Sequence, residues 1–271
     1  MINSVRNAVL SVLNKNNYGY ISPSDFNLFA ANSQMEIYEE YYSSYNKVLN
    51  SENARMSGVD YADIEQPIAE ALEYFLRTDY LTKISANKFS MPTPTTTGYD
   101  TYMLLDVKCR PITLATGTNT SVVSLQLVDS TASFLADGIY AGDVVTNITT
   151  GATSVVVSVI SNTVLSLDSS IFLAASSSYG VFSSSTVVQV EKVINSKLSL
   201  LLISSLTQPS NEFPIYALQG SELTFYPKTI SNKGQVEATY FRYPKVPKWT
   251  YITLFNGEPA FDQSQPDYQD F

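Results

Sequence analysis

Asp129-Ser130-Thr131-Ala132-Ser133-Phe134, followed closely by Gly142-Asp143-Val144-Val145-Thr146-Asn147, sits inside a long interval without a single basic residue: nothing between Arg110 and Lys192 is Lys or Arg. Over 116–185 the chain is mostly Val, Ile, Leu, Ser and Thr, punctuated by the turn signals Asp137-Gly138, Ala141-Gly142-Asp143 and Thr150-Gly151. Strand-like runs at 122–128, 143–148, 154–160 and 163–167 recur at roughly the 8–12 residue spacing of a small sandwich or barrel. The flanks differ, being rich in Tyr, Pro and mixed charge. This contrast predicts an inserted all-β domain at 116–185, set into a discontinuous helical plus β domain of 1–115 and 186–257, with an acidic tail at 258–271.

Working outward, Ile2, Val5, Val9 and Val12 recur at steps of three and four, which predicts a short helix with one apolar face ending near Gly19. Ser22 is placed to cap a second helix, with Pro23 at its first position and Asp25 in the first turn. Phe26, Ala30, Ser33, Ile37, Tyr41, Tyr45 and Val48 then form the predicted inner stripe, Glu36, Glu39 and Glu40 face solvent, and the helix runs to about Asn50. A third helix is predicted from Asp63 to about Thr78, with Ile64, Ile68, Leu72 and Phe75 inward. Pro92-Thr93-Pro94 breaks this pattern, and Tyr102, Leu104, Val107 and Cys109 begin β structure.

Beyond the central interval, 188–193 returns to mixed charge, 195–204 fits a helix or a strand, and 213–226 with 235–243 supplies at least two strands that complete the first domain. The predicted class is therefore α+β: an N-terminal helical cluster, a β-sheet completed by C-terminal segments, and the inserted β domain. The tail carries Asp262, Asp267 and Asp270 without a basic residue, the composition of a flexible or clamped extension.

With no His and one Cys among 271 residues, the chain lacks the commonest general base and metal ligand and cannot form an internal disulfide. Hydrophobic residues reach 44% and charged ones only 15%, which excludes a disordered chain and leaves an uncharged polar surface suited to packing. No apolar run approaches the roughly 18 residues of a membrane span, the longest being 198–203, so a soluble protein is expected. Residues 1–13 interleave Asn3, Ser4, Arg6 and Asn7 with apolar positions, which suits an amphipathic helix better than a secretory signal. The sequons at Asn119 and Asn147 then read as chance. A net charge of −9 opposes tight binding to phosphate backbones.

The side chains that could carry chemistry have plainer readings. Glu36 with Glu40, or Glu70 with Glu73, place two carboxylates on one helical side, but no His, Lys or Gly loop accompanies them and a solvated face suffices. Asp137 and Asp143 lack the spacing of a calcium loop and read as turn residues. Cys109 has no His to activate it and reads as a small buried hydrophobe. Arg242, Lys245 and Lys248 alternate with Tyr243, Pro244, Pro247 and Trp249; the two prolines favour a rigid extended arm anchored by Trp249 over a nucleic-acid surface. No catalytic, cofactor or metal residue is expected.

Asn17-Tyr18-Gly19-Tyr20-Ile21-Ser22-Pro23-Ser24-Asp25-Phe26-Asn27, continued by Glu39-Glu40-Tyr41 and Tyr45-Asn46, resembles the opening of structural proteins from tailed bacteriophages, notably crAss-like phages. Phe213-Pro214-Ile215-Tyr216, Phe225-Tyr226-Pro227 and above all Tyr240-Phe241-Arg242-Tyr243-Pro244-Lys245-Val246-Pro247-Lys248-Trp249-Thr250-Tyr251 resemble the end of the same proteins, and the two blocks cover about half of the chain. The stretch quoted first is similar to a small β domain recurring in phage virion proteins. Related chains often continue past the acidic tail into further helix, whereas the sequence here ends at Phe271.

The resemblance implies a ring or adaptor protein of the head-to-tail connector, made in the bacterial host cytoplasm and built as a homo-oligomer of 12 copies below the portal. It implies portal, connector and tail proteins as neighbours, with no membrane and no cofactor, and genomic DNA passing at ejection without sequence-specific contact. A ring needs one face of a subunit to meet a different face of the next. Tyr41 and Tyr45 of the long helix, and Arg242, Tyr243, Pro244, Pro247, Trp249 and Tyr251 of the arm, are the residues expected at that interface, Tyr243 and Trp249 being buried between subunits. An alternative makes the β domain a glycan-binding or adhesive module of a tail fibre, with Phe134, Tyr140, Phe172, Tyr179 and Phe182 stacking on sugars. A tail-associated hydrolase is a third choice, opposed by the missing His.

Overall fold

A computed structural model describes residues 2–13, 21–55, 66–262 and 264. Three helices come first: α1 (Ile2–Leu13), α2 (Pro23–Arg55) and α3 (Gln66–Glu73). Strands β1 (Leu76–Tyr80), β2 (Thr82–Ser85) and β3 (Lys88–Ser90) follow, then a single turn α4 (Pro94–Thr97) and the long β4 (Thr101–Cys109). The central region holds β5 (Thr113–Thr118), β6 (Ser121–Val123), β7 (Gln126–Val128), β8 (Val144–Asn147), β9 (Thr153–Ser161), β10 (Val164–Leu167) and β11 (Ser178–Phe182). After it come β12 (Val188–Gln189), β13 (Glu191–Lys192), α5 (Asn195–Ile203), β14 (Ile215–Gln219), β15 (Glu222–Tyr226), β16 (Val236–Arg242), β17 (Tyr251–Thr253) and β18 (Pro259–Phe261). The fold is mixed α+β. By contacts the chain divides into one unit of Met1–Leu76 with Arg242–Phe271, and another of Arg77–Phe241. The expected domain bounds differ from this division, while the central strands keep a sheet and a core of their own.

In the first unit, Ser22 opens α2 as its sequence predicts. Its Oγ accepts the Asp25 N–H at 3.1 Å and donates to Asp25 Oδ2 at 2.6 Å, so one orphan amide is satisfied and the acidic side chain is held at the positive end of the helix. The 33 residues of α2 make a rod of about 50 Å. Its inner face is rotated from the expected stripe: Phe26, Gln34 and Tyr38 are buried, whereas Ser33 and Ile37 are exposed. The same rotation holds in α1, where Ile2 and Arg6 are the buried positions and Val5 and Val12 are open. Tyr45 and Val48 have side chains outside the described residues, as do Asp63, Ile64 and Ile68.

The third helix stops earlier than its pattern predicts. It ends at Glu73 and the chain is extended from Leu76, where Arg77, Asp79 and the β-favouring Thr78 and Tyr80 alternate along a strand. Leu72 and Phe75 are nonetheless buried, Phe75 packing edge-on to Tyr38 with ring centroids 4.9 Å apart. The tail is likewise more ordered than its composition predicts over its first residues: Pro259–Phe261 pairs antiparallel with Tyr251–Thr253.

The second unit contains three sheets. One runs β1-β16-β4-β12 and another β13-β14-β15-β3-β2, so segments from both sides of the central region interleave in each. Leu223 and Phe225 of β15, with Phe89 of β3, meet Val107 of β4 and Val236 and Ala238 of β16 in one core, which places the inner faces of these two sheets against each other. β14 and β15 form a hairpin in register from Ile215↔Tyr226 to Gln219↔Glu222. Its tight turn requires a left-handed residue, supplied by Gly220 at φ +63°. The segment left open as helix or strand is helical, as α5.

The central strands form a single sheet in the order β5-β11-β8-β9-β10-β7-β6. It is open, with β5 and β6 as its two edges, and the barrel alternative is thereby corrected. The run 122–128 is also two strands rather than one. Leu125, at φ +57°, turns the chain, and Ser121–Val123 folds back on Gln126–Val128 with Val122 opposite Leu127. The turn lies at Ser124-Leu125, which carries no glycine to announce it. Leu127, Phe134, Val145, Val156, Leu165 and Tyr179 make the core of this region.

Candidate functional site

The ionisable groups that depart from their ordinary behaviour serve the fold. Burial, partly offset by Arg110, pushes the Cys109 thiol up to about 12, which removes its thiolate at neutral pH and fits the small buried hydrophobe expected from the sequence. Asp143 is a turn residue: Oδ2 accepts the Tyr140 N–H at 2.8 Å, and Oδ1 accepts the Ser184 N–H at 2.9 Å. Among the described residues no three Cys, Asp or Glu side chains gather at one point to hold a metal ion. No described helix is long and apolar enough to cross a membrane.

Asp129 is buried and accepts three hydrogen bonds, from Tyr179 Oη at 2.8 Å, Thr131 N–H at 2.9 Å and Thr131 Oγ1 at 2.6 Å. Burial alone raises its carboxyl, but the bonds from Thr131 and Tyr179 favour the ionised form and together hold it below the usual carboxylate range. The folded value is therefore below the unfolded one of about 3.9. Its stabilisation is complete above that pH and disappears as pH falls through the folded value. Asp129→Asn is expected to cost about 1–3 kcal/mol at pH 7. In paired thermal melts the difference from wild type should shrink as pH falls below about 4; a difference unchanged on acidification would count against the ionised network.

Four of the five aromatics offered as a sugar platform are core residues. Phe134, Phe172, Tyr179 and Phe182 are buried, and only Tyr140 stands in solvent. Phe134 and Phe172 each meet Tyr179 edge-on, at 6.0 and 6.4 Å between centroids. Burial of the four rings closes them to a ligand.

The arm from Arg242 onward is also deployed differently from the expectation. Trp249 is 1% exposed within its own chain and cannot be an anchor awaiting a neighbour. The Arg6 guanidinium lies 3.8 Å above its ring, Tyr251 stacks at 5.6 Å and 11°, and Phe261 at 6.2 Å and 27°. Asn27 clamps the backbone on both sides of the indole: Oδ1 accepts Trp249 N–H at 2.8 Å and Nδ2 donates to its carbonyl at 3.3 Å. The indole N–H donates to Asn3 Oδ1 at 3.1 Å. Arg242 is equally enclosed, its guanidinium 5.0 Å from the Phe75 ring and its carbonyl accepting from Tyr38 Oη at 3.3 Å. Gln34 Nε2 donates to the Lys245 carbonyl at 2.7 Å, and Pro244 and Pro247 are buried.

The prolines thus fix the arm along α1 and α2 of its own unit, where preset φ angles lower the entropy lost on docking. Of the residues expected at a subunit interface, Tyr243 and Tyr251 keep substantial exposure, at 38% and 46%, and Tyr41 is half-buried. Asn3, Arg6, Asn27 and Gln34 are the holding residues that the sequence reading missed. One signal was present: Arg6 is the lone charged residue of α1 and Trp249 the lone Trp, a pairing that cation–π attraction favours.

The rotation of α1 and α2 has a consequence beside the arm. Val5 and Val9 from α1, and Phe29, Ser33 and Ile37 from α2, face an open groove with a cavity of about 380 Å³, floored by Phe26 and Pro247. These are largely the apolar positions whose periodicity defined the two helices, and the described residues leave Val5, Phe29, Ser33 and Ile37 exposed, with Val9 half-buried. Glu36 and Glu40, three residues beyond Ser33 and Ile37 respectively, are exposed one helical turn along α2 from these lining positions. No protein-family model matches this chain, and no curated protein matches it in sequence.

Proposed function

We propose that the protein is a virion structural component that assembles into a ring of 12 copies in the head-to-tail connector of a tailed bacteriophage, below the portal. The observation that carries this reading is the uncovered apolar flank of α1 and α2: a groove of this size on one chain is the mark of an interaction surface. The resemblance of the two terminal blocks to crAss-like connector proteins supplies the kind of assembly. The net charge of −9 suits a wall along which DNA moves without adhering. The sheet of β5 to β11 serves as the docking surface for neighbouring virion proteins; Val155, Val157 and Ile160 of β9 stand exposed on it beside an uncharged Ser/Thr surface.

Electron microscopy of the purified protein and of the virion neck tests the proposal. Annuli with twelvefold symmetry are expected at both, and the purified rings should not retain duplex DNA at physiological salt. Single copies of the chain in intact particles would overturn the ring, and tight DNA binding would overturn the non-adhering channel.

A further inference from the structure

The groove between α1 and α2 has a counterpart elsewhere on the same polypeptide. Helix α5 has no buried residue, although its sequence is largely apolar. Leu198, Leu201 and Leu202 are half-buried, while Leu200 is 69% exposed and Ile203 82%, and Leu206, just beyond the helix, is 93% exposed. Leu200 and Ile203, three residues apart, share one helical face and make a ridge. A ridge of this kind is costly to leave in water, and so is the groove.

We infer that the ridge of α5 from one copy seats in the α1–α2 groove of the next copy. Size agrees: nine helical residues span about 14 Å, within the roughly 18 Å length of the twelve-residue α1. Charge agrees as well. Lys197 is the one charged residue of α5 and shares the exposed face with Leu200, three residues away. Across residues 23–40 of α2 every charged residue is acidic, and the exposed Glu36 and Glu40 follow the groove-lining Ser33 and Ile37 by three residues each, one helical turn along. Ridge and groove are different surfaces of one chain, so the contact is head-to-tail, the type that closes rings or extends filaments. The inference rests on the ring reading and adds to it the two faces that meet.

Phe29→Glu in the groove and Ile203→Glu on the ridge test the contact, read by sedimentation and native mass of the full chain. Both side chains are largely exposed, so unchanged thermal melts are expected; Ile37→Glu and Leu200→Glu replace any variant that melts early. Each variant alone should weaken self-association about tenfold or more. Mixed together they should form 1:1 pairs and stop, because the Phe29→Glu copy retains its ridge and the Ile203→Glu copy its groove. Variants that assemble as wild type does, or that fail to pair when mixed, overturn the contact and leave a wild-type ring standing. A wild-type chain that stays monomeric at every concentration, with no pairing in the mixture, overturns both.

Discussion

Trp249→Ala is expected to destabilise the unit of Met1–Leu76 with Arg242–Phe271 by about 3–5 kcal/mol, the range for deleting a fully buried large aromatic. The substitution removes the surface on which Arg6, Tyr251 and Phe261 stack, and it leaves Asn3 without the indole N–H. It also leaves a buried guanidinium facing a void, which adds to the loss. Hydrogen exchange should rise along α1, the first turns of α2 and the β17–β18 pair. Trp249→Phe, which keeps an aromatic face, should recover most of the stability, short of about 1 kcal/mol for the hydrogen bond. Unchanged melting with altered assembly would return Trp249 to the interface role that its sequence context suggested.

Phe225→Ala should cost a similar amount, about 3–5 kcal/mol, in the other unit. Phe225 is fully buried at the centre of the two-sheet core, edge-on to Phe89 at 5.3 Å and 88° and stacked against Tyr216 at 5.8 Å. Its backbone is held on both sides by Asn87, whose carbonyl accepts the Phe225 N–H at 2.9 Å and whose side-chain amide donates to the Phe225 carbonyl. The turn carrying Asn87 between β2 and β3 is therefore docked onto β15, and the cavity cannot close by moving that strand alone. Urea unfolding should show the loss in the midpoint, with exchange rising across β3, β14 and β15. A cost under about 1 kcal/mol would mean that the core repacks freely around the missing ring.

These two aromatics differ in how far their roles were legible. Phe225 alternates with Leu223 in a period-two pattern, so its burial follows from local sequence once the strand is recognised. Trp249 lies among prolines and lysines with no period, and a rigid arm fits docking on a neighbour as well as docking at home. The deciding contacts join residues more than 200 positions apart: Asn3 with Trp249, Asn27 with Trp249 and Tyr38 with Arg242. Each is a polar side chain meeting a distant backbone or ring, and neither propensity nor periodicity encodes that.

What the chain's sequence determined by itself were the features set within a few residues: the capped start of α2, the β character of the basic-free interval, the alternating strands of the C-terminal half, and an inert cysteine. Tertiary structure alone decided which flank of each helix is inward, where α3 gives way to β1, and that the arm closes on its own unit. Helical periodicity defines an apolar face but not its occupant. In α1 and α2 the arm takes the flank that carries Arg6, Asn27, Gln34 and Tyr38, where cation–π and backbone hydrogen bonds add to burial, and the described residues leave the mostly apolar flank open.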